Sequence, residues 1–118
     1  MLTEKDYCDY DTCVALKELG LSCDDIALRY EANPLACRYE DIPKPMLYEA
    51  YKWLREEKNI IVDVFVDDDS DTPITYNIYK DGKCIVHHHG NYYSVKDWNV
   101  ALLEGIKEAV KILKEERK

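Results

Sequence analysis

Glycine and proline are scarce in this chain, four of each in 118 residues, and there is a single phenylalanine. So few breakers, beside apolar types at 47% of residues, exclude a disordered or low-complexity chain. No apolar run approaches the length of a bilayer span, and Met1 to Tyr7 lacks the apolar core of a secretion signal. A cytoplasmic protein with no membrane partner is therefore expected. Positive charge is also short: 16 basic against 24 acidic side chains leave a formal net charge of -8. That balance gives no general electrostatic reward for binding phosphate backbones.

The five cysteines, Cys8, Cys13, Cys23, Cys37 and Cys84, include no CxxC pair. Their gaps of 4, 9, 13 and 46 residues match no zinc-finger, ribbon or iron–sulfur spacing. Without a secretion signal they read as reduced, small apolar side chains. GxSxG, HExxH, a phosphate-cradling glycine loop and a dinucleotide fingerprint are all missing. The reading therefore favours a non-enzyme without a cofactor.

What is present is a succession of periodicities. Asp11 is placed to cap a short helix through Val14, Leu16 and Leu19, with Gly20 as its stop. Ser22 and Asp25 stand in capping-box spacing before a second helix over Ile26, Ala27, Leu28 and Tyr30. Leu35 to Tyr39 reads as an edge strand. Pro45 fits the first turn of a helix whose apolar positions are Met46, Leu47, Ala50, Trp53 and Leu54, ending at Lys58-Asn59. Residues 60–66 alternate as a strand, with Ile60, Val62, Val64 and Val66 on one face and Ile61, Asp63 and Phe65 on the other.

A second strand alternates Ile74, Tyr76 and Ile78 with Thr75, Asn77 and Tyr79. Asp81-Gly82 predicts a two-residue hairpin into a third strand, from Lys83 to the neighbourhood of His89, broken by Gly90-Asn91. Ser94 and Asp97 introduce a long amphipathic helix on Trp98, Leu102, Ile106, Ala109, Val110 and Leu113. Gly105 lies on its apolar stripe, which predicts close approach to the sheet.

The fold class that follows is α+β, a single domain over residues 1–118. A less defined, mainly helical segment, 1–43, precedes a core over 44–118. That core is α-β-β-β-α from residue 45, a three-stranded antiparallel sheet flanked by helices. The same order occurs in double-stranded-RNA-binding domains, a likeness of topology alone. A nucleic-acid-binding accessory domain is thus one alternative, and charge argues against it. Residues 96–118 hold six basic and five acidic side chains, so Lys107, Lys111, Lys114, Arg117 and Lys118 belong to a mixed surface.

His87-His88-His89 invites a second alternative, a small metal-dependent hydrolase. On an ideal strand His87 and His89 share a face, where they could hold zinc or nickel with Asp63 as a further ligand. Cys84 and His88 would stand roughly 13 Å apart at ~3.3 Å per residue, too far for direct activation. Asp67, Asp69 and Asp71 imitate the opening of a calcium loop. Thr72, however, stands where that loop needs glycine, and Ile78 where it needs glutamate.

Aromatic content supports a protein-contact surface instead. Ten tyrosines accompany Trp53, Trp98 and Phe65. Phe65, Tyr79, Ile85, His87 and His89 are expected on the sheet face opposite the core, where rings can anchor an interface. The competing reading folds residues 1–43 across that face and makes those rings core.

KPMLYEAYKWLREE over Lys44 to Glu57, the Ile60-Ile-Val-Asp-Val strand and the Trp98-Asn-Val-Ala-Leu-Leu-Glu-Gly-Ile-Lys-Glu-Ala helix carry a resemblance. The chain resembles small uncharacterised proteins of gut Bacteroides-type bacteria and their phage-like or mobile elements. The likeness spans residues 44–113, with a weaker echo at Leu16-Lys-Glu-Leu-Gly. It implies an intracellular accessory role and transfers no functional residue. The combined expectation is a non-enzymatic protein-binding protein, with a homodimer through the same face as one form of it. Its site comprises Phe65, Tyr79, His87 and His89, with Asp67, Asp68 and Asp69 steering a basic partner.

Overall fold

The computed structural model describes residues 3–67, 74–92 and 95–116, and the chain is a mixed α+β fold. Helix α1 (Tyr10–Glu18) begins where Asp9, not Asp11, accepts the Thr12 N–H at 3.0 Å. Moving the cap back by two residues frees Asp11 to face solvent and leaves Thr12, Cys13 and Leu16 buried. Ser22 and Asp25 act as expected: the Asp25 carboxylate accepts the Ser22 N–H at 2.7 Å. A single 3-10 turn (Cys23–Ile26) then leads into the short α2 (Ala27–Ala32).

The anticipated strand over Leu35 to Tyr39 shrinks to β1 (Arg38–Tyr39), which pairs with β2 (Ile42–Pro43). Pro34–Cys37 is a 3-10 turn instead, opened by a proline whose ring presets its first φ. Pro45 also departs from expectation. It lies before the Met46 cap of α3 (Leu47–Lys58), and its carbonyl accepts the Cys8 N–H at 3.1 Å. The proline thus ties the N-terminal segment to the core rather than opening the helix. Helix α3 ends at Asn59 in the left-handed conformation, φ 54°.

Strands β3 (Ile60–Val66), β4 (Ile74–Lys80) and β5 (Lys83–Tyr92) form an antiparallel sheet in the order β3-β4-β5. Asp81 and Gly82 both have positive φ, 53° and 83°, which a two-residue hairpin loop matched to strand twist requires. β5 does not stop at Gly90-Asn91. Gly90 at φ 103° lets the backbone bulge, and the strand continues to Tyr92. Three register shifts reconcile its greater length with β4.

Helices α3 and α4 (Trp98–Glu116) pack on one side of the sheet. Leu47, Ala50, Trp53 and Leu54 of α3 share a buried cluster with Ile60, Val62, Ile78, Ile106, Ala109 and Val110. Cys8, Cys13, Leu16, Leu19 and Leu21 join the same cluster. Residues 3–43 therefore extend the helical side: the Glu4–Asp6 turn and α1 make their principal contacts outside the segment with α4, not with β3, β4 or β5. No described helix is long and apolar enough to cross a membrane.

Candidate functional site

The side of the sheet turned away from α3 and α4 carries Ile61, Asp63 and Phe65 from β3. They stand opposite Tyr79, Asn77 and Thr75 of β4. Cys84 lies across from Tyr79 on the third strand. Thr75 and Asn77 are only 3% and 7% exposed, so the small polar side chains of the central strand sit low between larger neighbours. Both are satisfied there. The Thr75 hydroxyl donates to the His89 carbonyl at 3.0 Å, inside a bulge, and the Asn77 amide donates to the Tyr79 hydroxyl oxygen at 3.1 Å. Phe65 and Tyr79 are half-buried, Ile85 is exposed, and His87 is exposed beside them.

The histidine run divides differently from the ideal alternation. Ile78 pairs with Val86 and Tyr76 pairs with His89, so a bulge separates the two contacts. Directly opposed residues share a face. His89 is thus on the helix-bearing side, its ring 5.4 Å from that of the buried Tyr76. His87 follows Val86 directly and stays on the outer side. Phe65 and Tyr79 thus share the outer side, and His89, expected with them, lies on the other. The extra residue of the bulge is the cause, and nothing in the three identical letters announces it.

The same division parts the two imidazoles that the hydrolase alternative needs on one ion. Among the described residues no three His, Cys, Asp or Glu side chains converge as metal ligands. Of the acidic turn, Asp67 is half-buried at the end of β3. Asp68, Asp69 and Asp71, like Pro73, Tyr93, Ser94 and the side chain of His88, lie outside the described residues.

A tightly partnered cluster on the helical side was not anticipated. The Arg29 guanidinium donates to Glu49 Oε1 at 3.1 Å, to Cys37 Sγ at 3.1 Å and to the Lys44 carbonyl at 2.7 Å, and lies over the Tyr7 ring. Lys44 Nζ is 4.8 Å from the ring centres of both Tyr7 and Tyr39 and pairs with Glu4 at 3.0 Å. A lone arginine within the apolar run Ile26-Ala-Leu-Arg was the available signal. Each of the two cations has its anion, Arg29 in Glu49 of α3 and Lys44 in Glu4, so the cluster fastens the N-terminal segment to α3 and its approach.

Two buried thiols on this side are held unreactive. Burial pushes the Cys13 thiol up to about 12, with the Asp9 carboxylate adding to the shift, and burial raises Cys8 well above its usual range. Both are held as thiols, the unreactive form. Among the described residues open clefts border α3 and α4, one of them, of about 280 Å³, between α1 and α4 at Asp11, Thr12, Ala15, Lys107 and Val110. Another of about 380 Å³ lies between α2 and α3 with Asp25, Glu56 and Glu57 on its rim. A third of about 370 Å³ is lined by Tyr7, Tyr10 and Tyr39. A fourth, of about 210 Å³, lies where Tyr48, Tyr51 and Trp98 meet β3. Trp98, expected on the apolar stripe of α4, is 38% exposed there. No family model matches the chain, and neither a curated protein nor a solved structure matches it.

Proposed function

We propose that the protein is a non-enzymatic binding protein that docks a protein partner on the outer side of its sheet. The observation that carries this reading is the course of residues 3–43. Their principal contacts are with α4 on the helical side, so Phe65 and Tyr79 stand, with the exposed His87 near them in this reading, on a sheet face to which that segment contributes no principal contact. Aromatic rings on such a face bury large area at small cost in rotamer entropy. The low, hydrogen-bonded centre at Thr75 and Asn77 lets a partner side chain settle between those rings. Asp63 of β3 and Asp67 just beyond it, within a chain of net charge -8, favour a basic partner. His89 is no longer part of this surface. An intracellular accessory role, with a second copy of the chain as one possible occupant, belongs to the same proposal.

Capture from a nuclease-treated host lysate through a tag without histidines tests it. The wild-type chain should retain a stoichiometric protein that the Phe65→Ala/Tyr79→Ala variant loses, or should sediment as a dimer where the variant is a monomer. Equal companions on both baits, or none on either beside a monomeric wild type, would overturn the assignment.

A further inference from the structure

Strands β3 and β5 both form margins of the sheet, but the two margins differ. β5 is interrupted by three register shifts, which blunt an edge against further pairing. β3 pairs with β4 from Ile60 to Val66 without a shift, and among the described residues no strand takes its other edge. A regular margin of this kind presents a row of backbone donors and acceptors suited to one more strand.

The cleft of about 210 Å³ lies at the same margin. Tyr48 and Tyr51 of α3, Trp98 and Leu102 of α4, and the consecutive Val62, Asp63 and Val64 line it. Side chains alternate between faces along a strand. Three successive residues therefore border one cleft where it meets the backbone at the strand's edge. Tyr48 is 65% exposed, so its ring is open to an incoming chain.

Asp63 decides which chain. It is the middle residue of β3, on the outer side opposite Asn77, and has no ion pair among the described residues. A second copy pairing antiparallel about the middle of β3 would set Asp63 against its own counterpart, and like charges directly opposed are destabilising. A basic residue at that point is favoured instead.

We propose that the free edge of β3 accepts an extended segment of a partner protein with an apolar–basic–apolar pattern. Its Lys or Arg faces Asp63, and the flanking apolar residues turn to the helical side, one of them entering the Tyr48–Tyr51–Trp98 cleft. Main-chain hydrogen bonds supply affinity, while the cleft and the carboxylate select the sequence. This shares with the proposed function the premise that the chain binds protein, and it uses a different surface.

Selection of a random dodecapeptide phage library on the full chain tests the inference, with wild type, Asp63→Lys and Tyr79→Ala as baits. Wild type should enrich peptides with a basic residue between two apolar ones, and Asp63→Lys should enrich an acidic residue at that place. Tyr79→Ala should still enrich the patterned peptides, whatever peptides of the outer face it loses, and Trp98→Ala should weaken an enriched patterned peptide about tenfold. No enrichment, enrichment without the pattern, or the same peptides on Asp63→Lys would overturn the edge assignment. Selection lost with Tyr79→Ala but indifferent to Asp63→Lys would also overturn it, while sustaining the sheet-face reading.

Discussion

Gly105 of α4 lies so close to Val62 of β3 that a Cβ on the glycine would stand 2.3 Å from Val62 Cγ1. The helix rests directly on the strand, and this contact closes the helical side of the sheet. Gly105→Ala gains about 1 kcal/mol of helix propensity but overpacks a β-branched neighbour, which costs about 1–3 kcal/mol. The expected outcome is a lower thermal midpoint. Adding Val62→Ala should destabilise less than the sum of the single changes, and a double-mutant cycle of urea midpoints checks the coupling.

Asp9 makes stability depend on pH. Burial works against its carboxylate, but hydrogen bonds from Lys107 and Thr12 outweigh burial and lower its pKa. A depressed carboxylate stabilises the fold above its unfolded value of about 3.9, and this is lost as pH falls through the folded value. Asp9→Asn keeps a capping oxygen and removes the charge that faces Lys107 at 2.8 Å. Both side chains are well exposed to screening water, so the loss at neutral pH should not exceed about 1 kcal/mol. Urea midpoints of variant and wild type should converge once pH falls below the lowered folded value, where the carboxylate is protonated in both states.

Thiol reactivity should follow burial. Cys84 is exposed, Cys23 half-buried, and Cys8, Cys13 and Cys37 are buried. An aromatic disulfide reagent should label Cys84 quickly and Cys23 more slowly. The other three should react only in denaturant, and fast labelling of Cys13 in the native state would contradict the packing of α1.

Arg29→Met should be among the more damaging changes on the helical side. It removes three hydrogen bonds and leaves the half-buried Glu49 without its cation. A loss of about 2–4 kcal/mol is expected in urea unfolding. Arg29→Lys should recover only part of it, because an ammonium cannot reproduce the planar fork.

The sequence discloses elements whose signals are local. Alternation over Ile60–Val66, the Asp81-Gly82 hairpin and the apolar stripe of α4 each depend on neighbours within a few residues, and each element stands where expected, with only Val66 and Trp98 among the expected core positions left exposed at the ends. Gly105 was legible too, because a glycine on an apolar stripe costs helix propensity that close approach to the sheet offsets. Pairing is another matter. The bulge that moves His89 to the side of Tyr76 is set by how β5 fits β4, and alternation alone assumes a perfect ladder. Arg29 and Lys44 escaped notice because their partners lie 20 and 40 residues away. The Tyr48–Trp98 cleft likewise exists only once α3 and α4 converge on β3.

The central claim is that the outer side of the sheet binds protein through Phe65 and Tyr79. The most direct measurement is the affinity of the captured partner, or of self-association, for wild type and Phe65→Ala/Tyr79→Ala, with thermal midpoints recorded beside it. Loss of two anchoring rings predicts about a thirtyfold weaker complex while the variant remains folded. An unchanged affinity in a folded variant would contradict the account.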